Sequence, residues 1–165
     1  MQGQDLPAAD LDRLMAELAR PDQDRWMRIE RQIEREWQRS GSAVADYLFQ
    51  RGQDALREGQ TDAAIAHFSA VIDHAPEFPE AWNARATAWF LANRLGPAMA
   101  DIEEVLTRNP QHFGALAGMG TILEQVGRLE AARAAFSAAL ALNPHRPGLR
   151  QAVERLDRAL AGPAL

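Results

Sequence analysis

The sequence predicts an all-α protein built as a solenoid of stacked helix pairs. Three observations carry this. The first is a period of 34 residues, seen in Pro76, Pro110 and Pro144, in Gly52, Ala86 and Gly120, and in Ala64, Ala98 and Ala132. Phe68, Ile102 and Phe136 keep the same phase, and a period of this size marks a repeat array. The second is punctuation. Gly59, Asn93 and Gly127 fall midway through each unit and the prolines close it. The third is composition: the chain is 47% apolar, rich in Ala, Leu and Arg, and poor in β-branched residues, which favours helix over sheet.

Taken in order, residues 1–44 read as an N-terminal helical hairpin. Met1–Asp5 is polar and is expected to be unstructured. Asp10 suits a helix start, and Leu11, Leu14, Met15 and Leu18 recur at helical spacing. Pro21 breaks that helix. Asp22 and Asp24 then open a second one, where carboxylates suit the helix dipole. Trp26, Ile29, Ile33 and Trp37 form its apolar stripe, and Arg and Glu alternate on the other faces. Ser40-Gly41-Ser42 ends it. The hairpin does not follow the repeat columns, and it is expected to cap the first repeat. The sharper alternative is that Trp26 and Trp37 form a partner or dimer surface.

The three repeats occupy 45–78, 79–112 and 113–146. Each divides into a helix A and a helix B: Asp46–Glu58 and Thr61–His74, then Pro79–Ala92 and Gly96–Thr107, then Phe113–Val126 and Leu129–Ala141. Thr61 is expected to cap the first helix B. Gly59, Asn93 and Gly127 suit the left-handed position that ends a helix. Gly52, Ala86 and Gly120 are small where helix A meets helix B, and Ala64, Ala98 and Ala132 are small on the facing helix. Large residues fill the rest of the seam: Leu48, Trp82 and Leu116, then Ala55, Trp89 and Leu123. Residues 147–165 hold a C-terminal capping helix with Leu149, Val153, Leu156 and Leu160 on one face, ended by Gly162-Pro163.

These columns resemble the tetratricopeptide repeat, a helix–turn–helix unit with a Trp…Leu-Gly…Tyr…Ala…Phe…Ala…Pro pattern. The second unit starts with Trp82, and the third carries Gly120, Ala132, Phe136, Ala139 and Pro144. The first unit departs with Leu48 at the Trp column, and the second with Ile102 at the Phe column. The layout is similar to small bacterial proteins of this family that have an N-terminal helical extension. Fold and repeats together imply a right-handed α-solenoid of three such pairs whose A helices line a concave side.

Chemistry is harder to find. The chain has 23 acidic and 18 basic residues, all the latter Arg, for a net charge of −5. That balance disfavours nucleic acid, which needs a basic patch. No apolar run reaches the roughly 20 residues that span a bilayer. With no Cys, disulfides and thiolate metal sites are excluded. His67, His74, His112 and His145 are too scattered to chelate a metal, so structural or exposed roles are expected. Asp101, Glu103 and Glu104 read as a solvated acidic face. Gly114 and Gly118, within a helix, point to close approach by a neighbouring helix or by a ligand backbone. No catalytic motif stands out, so neither catalysis nor a cofactor is expected. The polar N-terminus carries no signal peptide. That reads as cytoplasmic for the chain as it stands, and as periplasmic if such a segment has been removed.

The remaining surface lies on the A helices, opposite the packing columns. Phe49, Gln53 and Arg57 present it in the first unit, Asn83, Thr87 and Phe90 in the second, and Thr121 and Glu124 in the third. Amides there can hydrogen-bond a peptide backbone, and Phe49 and Phe90 can seat an apolar side chain. The leading expectation is a protein-interaction scaffold that takes a peptide or partner helix in this groove. The alternative is a self-associating subunit, a homodimer through the Trp-bearing helix, with the groove filled internally. Family members that clamp the C-terminal carboxylate of heat-shock chaperones use Lys, Asn and Arg along the A helices. The corresponding places here hold Phe49, Gln53, Ala84, Gly114 and Gly118, so that clamp is expected to be absent.

Overall fold

A computed structural model describes residues 8–163. Met1–Asp5, expected to be unstructured, and the last residues of the tail lie outside the described residues. The described residues form nine helices and no strand: α1 (Ala8–Leu18), α2 (Trp26–Trp37), α3 (Ala43–Arg57), α4 (Thr61–His74), α5 (Pro79–Leu91), α6 (Leu95–Arg108), α7 (Phe113–Gln125), α8 (Leu129–Leu142) and α9 (Leu149–Ala161). They make an all-α solenoid, with α3–α4, α5–α6 and α7–α8 as its pairs. Several boundaries differ from the sequence reading. Helix α3 starts three residues early because Ser42 caps it, its hydroxyl accepting from Ala45 N–H. Thr61 is not a cap but the first residue of α4; Gln60 precedes it without a side-chain capping bond. Asp22 and Asp24 fall in the turn before α2.

The period reappears as repeated backbone geometry. Gly59, Asn93 and Gly127 all have positive φ, at 74°, 57° and 79°. After each, the next N–H reaches back five residues at 2.8 Å: Gln60 to Ala55, Arg94 to Trp89, and Arg128 to Leu123. This closure satisfies carbonyls the helix end leaves open. A small residue then lets each pair close. A Cβ on Gly52 would stand 2.4 Å from the Phe68 ring, and one on Gly120 would stand 2.8 Å from the Phe136 ring. Gly118 sits against Ile102, its neighbour in α6, so a packed helix explains it.

Polar contacts tie the pairs together. Asp101 is buried, not part of a solvated face. It accepts two hydrogen bonds from Arg85, at 2.7 and 2.8 Å, while Arg85 Nη1 donates to Ser69 at 3.0 Å. This links α4, α5 and α6, and the charge-assisted fork raises the Arg85 pKa further. The guanidinium groups of Arg85 and Arg108 both lie over the Trp82 ring, whose indole N–H donates to Pro76 O at 2.9 Å. At the far end, Leu149, Ala152 and Leu156 of α9 cover Ala132, Phe136 and Ala139 of α8.

The core contacts of the N-terminal hairpin are with the third repeat. Leu14, Met15, Leu18, Ile29 and Ile33 form its own small core, which joins Phe113 at the start of α7 and Leu142 at the end of α8. Trp26 stacks on His145 with ring centroids 5.3 Å apart, and Trp37 on His112 at 4.6 Å. Asn143, fully buried, donates to Glu30 at 3.0 Å, and His145 bonds the Arg20 carbonyl at 2.9 Å. The reason is chemical fit. The third repeat's entry and exit links offer flat rings and a buried amide to match the hairpin's Trp faces and Glu30. Hairpin and third repeat are thus joined across the first two repeats.

Two glycines in the array separate packing from propensity. Gly52→Ala is expected to destabilise by about 1–3 kcal/mol, because Phe68 is fully buried against Phe49 and cannot yield. Gly118→Ala, whose Cβ would meet Ile102 at an ordinary 3.4 Å, is expected to stabilise by up to about 1 kcal/mol through helix propensity. Denaturant unfolding of both variants checks the pair.

Candidate functional site

The A helices α3, α5 and α7 border a groove made of two connected cavities. The first, about 310 Å³, lies between α3, α5, the start of α7 and the hairpin helix α2. The second, about 300 Å³, lies between α5, α6 and α7. Asn83, Thr87, Gly114 and Arg146 line both. The first has Gln53, Leu56 and Asn83 on the repeat side and Glu34, Trp37 and Gln38 on the hairpin side. The second is more apolar, with Phe90, Ile102 and Ile122 beside Asn83 and Thr121.

The residues expected from the sequence distribute unevenly. Gln53 lines the first cavity, Phe90 and Thr121 line the second, and Asn83 and Thr87 line both. The Thr87 hydroxyl donates to Asn83 O and the Thr121 hydroxyl to Ala117 O. Phe49 also lines the first cavity. It is 6% exposed and packed on Phe68 and Phe78, so it forms the cavity floor and cannot swing out to grip a ligand. Arg57 lies outside both linings, exposed and paired with Asp54. Glu124 also lies outside; Arg155 of α9 binds both its oxygens at 2.9 and 2.8 Å, and these hydrogen bonds lower its pKa.

Other lining residues came from outside the A-helix columns. His112 is buried at the start of α7. Its Nδ1 accepts from Ala115 N–H at 3.0 Å, capping the helix, so Nε2 carries the proton and donates to Glu80 at 2.5 Å. Trp37 stacks on that imidazole and on Phe113. Arg146 enters from the link after α8. It lies over the Phe113 ring at 5.2 Å, 3.3 Å from Glu30 and 3.9 Å from Glu34. A Cβ on Gly114 would stand 3.3 Å from His112 Cε1, a tight contact, and 3.4 Å from Arg146 Nη1, an ordinary one. The close approach at Gly114 is therefore to the His112 ring of the chain itself. One sequence signal existed: Phe78, His112 and Arg146 share the 34-residue phase. Glu34 carries the one raised carboxylate pKa here. Burial is the main cause, Glu30 adds repulsion, Arg146 opposes both, and Glu80 adds further repulsion. Among the described residues, no group of His, Asp and Glu is placed to hold a metal ion, and no helix is long and apolar enough to cross a membrane.

Paired helices in 34-residue register around an open groove define a helical-repeat protein of the interaction type. The tetratricopeptide repeat pattern matches residues 49–111 and 98–147, and the chain belongs to that family. It is 36% identical over 157 residues to a TPR repeat-containing protein of Rhizobium etli, covering 94% of this chain and 77% of that one. Among solved structures, the fold is similar to the first TPR of Spaghetti (RPAP3) bound to the HSP90 peptide SRMEEVD. The TM-score is 0.69 with 24% identity, over 72% of this chain and 94% of that one. It is also similar to the type III secretion chaperone SycD of Yersinia enterocolitica in complex with a peptide of the translocator YopD. There the TM-score is 0.66 with 13% identity, over 70% of this chain and 94% of that one.

The Glu34 shift has a pH signature. An unfolded glutamate titrates near 4.5, and the folded chain holds this proton more tightly. Ionisation of Glu34 therefore opposes folding, a penalty absent below the unfolded value and complete above the raised one. Glu34→Gln is expected to raise the melting temperature at pH 7 and to leave it unchanged near about pH 4. Thermal melts of both proteins at the two pH values check this.

Proposed function

We propose that the chain is a non-catalytic interaction module that takes an extended peptide segment of a partner protein along the groove. One observation carries this reading. Gln53 and Asn83 present amides on one continuous surface with Leu56 and Phe90, through two cavities that meet at Asn83. Free amides match the unpaired N–H and C=O groups of an extended peptide, and apolar cavities select alternate side chains. The peptide-bound state of the RPAP3 and SycD domains supports the same use of the fold.

The chaperone carboxylate clamp has no counterpart in this reading. Phe49, Gln53, Ala84, Gly114 and Gly118 provide no cation along the A helices. Against self-association through α2 stands the engagement of Trp26 with His145 and of Trp37 with His112 and Phe113 within one chain. Light scattering is expected to give a concentration-independent monomer; a dimer that Trp26→Ala dissociates would contradict this.

The groove is tested by selecting ligands from displayed random ten-residue peptides on the parent protein. The double variant Asn83→Ala/Phe90→Ala is expected to bind the selected peptides at least about tenfold more weakly. Equal binding by parent and variant, with both folded by circular dichroism, would refute the groove as the site.

A further inference from the structure

We infer that the segment filling the groove carries a lysine or arginine side chain in the first cavity, held between Glu34 of α2 and Glu80 of α5. The N-terminal hairpin is then part of the binding site. This rests on the peptide-groove reading and adds the chemistry of the ligand to it.

The argument begins with what lines that cavity. Its hairpin wall is Glu34, Trp37 and Gln38, and its opposite wall includes Glu80 and Asn83. Glu30 lies one turn before Glu34 on α2, close enough to repel it. Three carboxylates thus face one guanidinium, Arg146, and one imidazole, His112. His112 is committed to Glu80 and to capping α7. Arg146 is divided between Glu30, at 3.3 Å, and Glu34, at 3.9 Å, the latter at the outer limit for an ion pair. Glu34 is the least compensated of the three. Glu30 also accepts from Asn143, and Glu80 has the His112 bond.

A cationic side chain fits this setting in both its parts. Its methylene stem can lie along the apolar floor made by Leu56 and the edge of Phe49, and its charged head can reach Glu34 and Glu80. An acidic side chain has no comparable place. It would have to draw Arg146 away from Glu30 and Glu34 and would itself sit beside the Glu34 and Glu80 carboxylates, a like-charge arrangement that selects against it. A cation beside Glu34 favours its ionised form and so offsets the desolvation that raises its pKa. The same carboxylate that weakens the empty fold strengthens the filled one, as binding sites often do.

Peptides selected on the parent protein from the random ten-residue display supply the probe. Lys or Arg is expected at one position of the selected set, with Asp and Glu depleted there. Replacing that residue by Gln is expected to weaken binding to the parent about tenfold and to Glu34→Gln less than about threefold, a coupling that a merely structural role would not give. Because Glu34→Gln is expected to melt higher than the parent at pH 7, lost binding is not lost folding. Glu34→Arg should turn selection towards Asp or Glu. Enrichment of acidic residues on the parent, or equal losses for the Gln peptide on parent and Glu34→Gln, would overturn the inference. Selected peptides that lose binding to Asn83→Ala/Phe90→Ala yet show no basic preference would overturn it while sparing the groove. Peptides insensitive to every one of these variants would overturn both.

Discussion

The buried imidazole of His112 is the contact on which the arrangement of the groove depends. One ring does three things. It caps α7 through Nδ1, bonds Glu80 of α5 through Nε2, and offers its face to Trp37 of α2. It therefore joins the second repeat, the third repeat and the hairpin at one point. A buried polar ring is costly unless its nitrogens are paired, and here both are. Its neighbour Phe113 extends the junction by packing on Trp37 and underlying Arg146.

Around that junction, the array is made stiff by a simple rule of size. In the first and third pairs, a glycine on helix A accepts an aromatic ring from helix B, Phe68 on Gly52 and Phe136 on Gly120. In the middle pair, Ala86 meets Ala98 and Ile102. Close pairs set the A helices side by side, and the surface left over becomes the groove. Stiffness there matters for binding, because a preformed surface loses less freedom when a peptide orders on it.

The array was legible because its causes are local and periodic. Left-handed turn residues, small residues and prolines each impose a backbone or packing demand within a few positions, and the demand recurs. The groove was legible in part. Phe49, Gln53, Asn83, Thr87, Phe90 and Thr121 follow from the phase of the A helices, but the burial of Phe49 against Phe78 of the next repeat, a contact between units, does not. Arg57 and Glu124 carried the right phase but found partners in Asp54 and Arg155. Asp101 looked solvated beside Glu103 and Glu104, and only its distance from Arg85 in space reveals the ion pair. The hairpin's seat was not legible. It rests on pairs far apart in sequence, Trp26 with His145 and Glu30 with Asn143, and neither residue of either pair names the other.

What distinguishes this chain from a bare repeat array is thus the return of the N-terminal hairpin to the third repeat, where it walls the groove. Nuclear Overhauser contacts of the tryptophan indoles test that directly. Close contacts are predicted from the Trp37 indole to the Phe113 and His112 rings, and from Trp26 to His145. Contacts from Trp37 to Tyr47 or Leu48 of the first repeat instead, or no contact with the third repeat, would contradict the account.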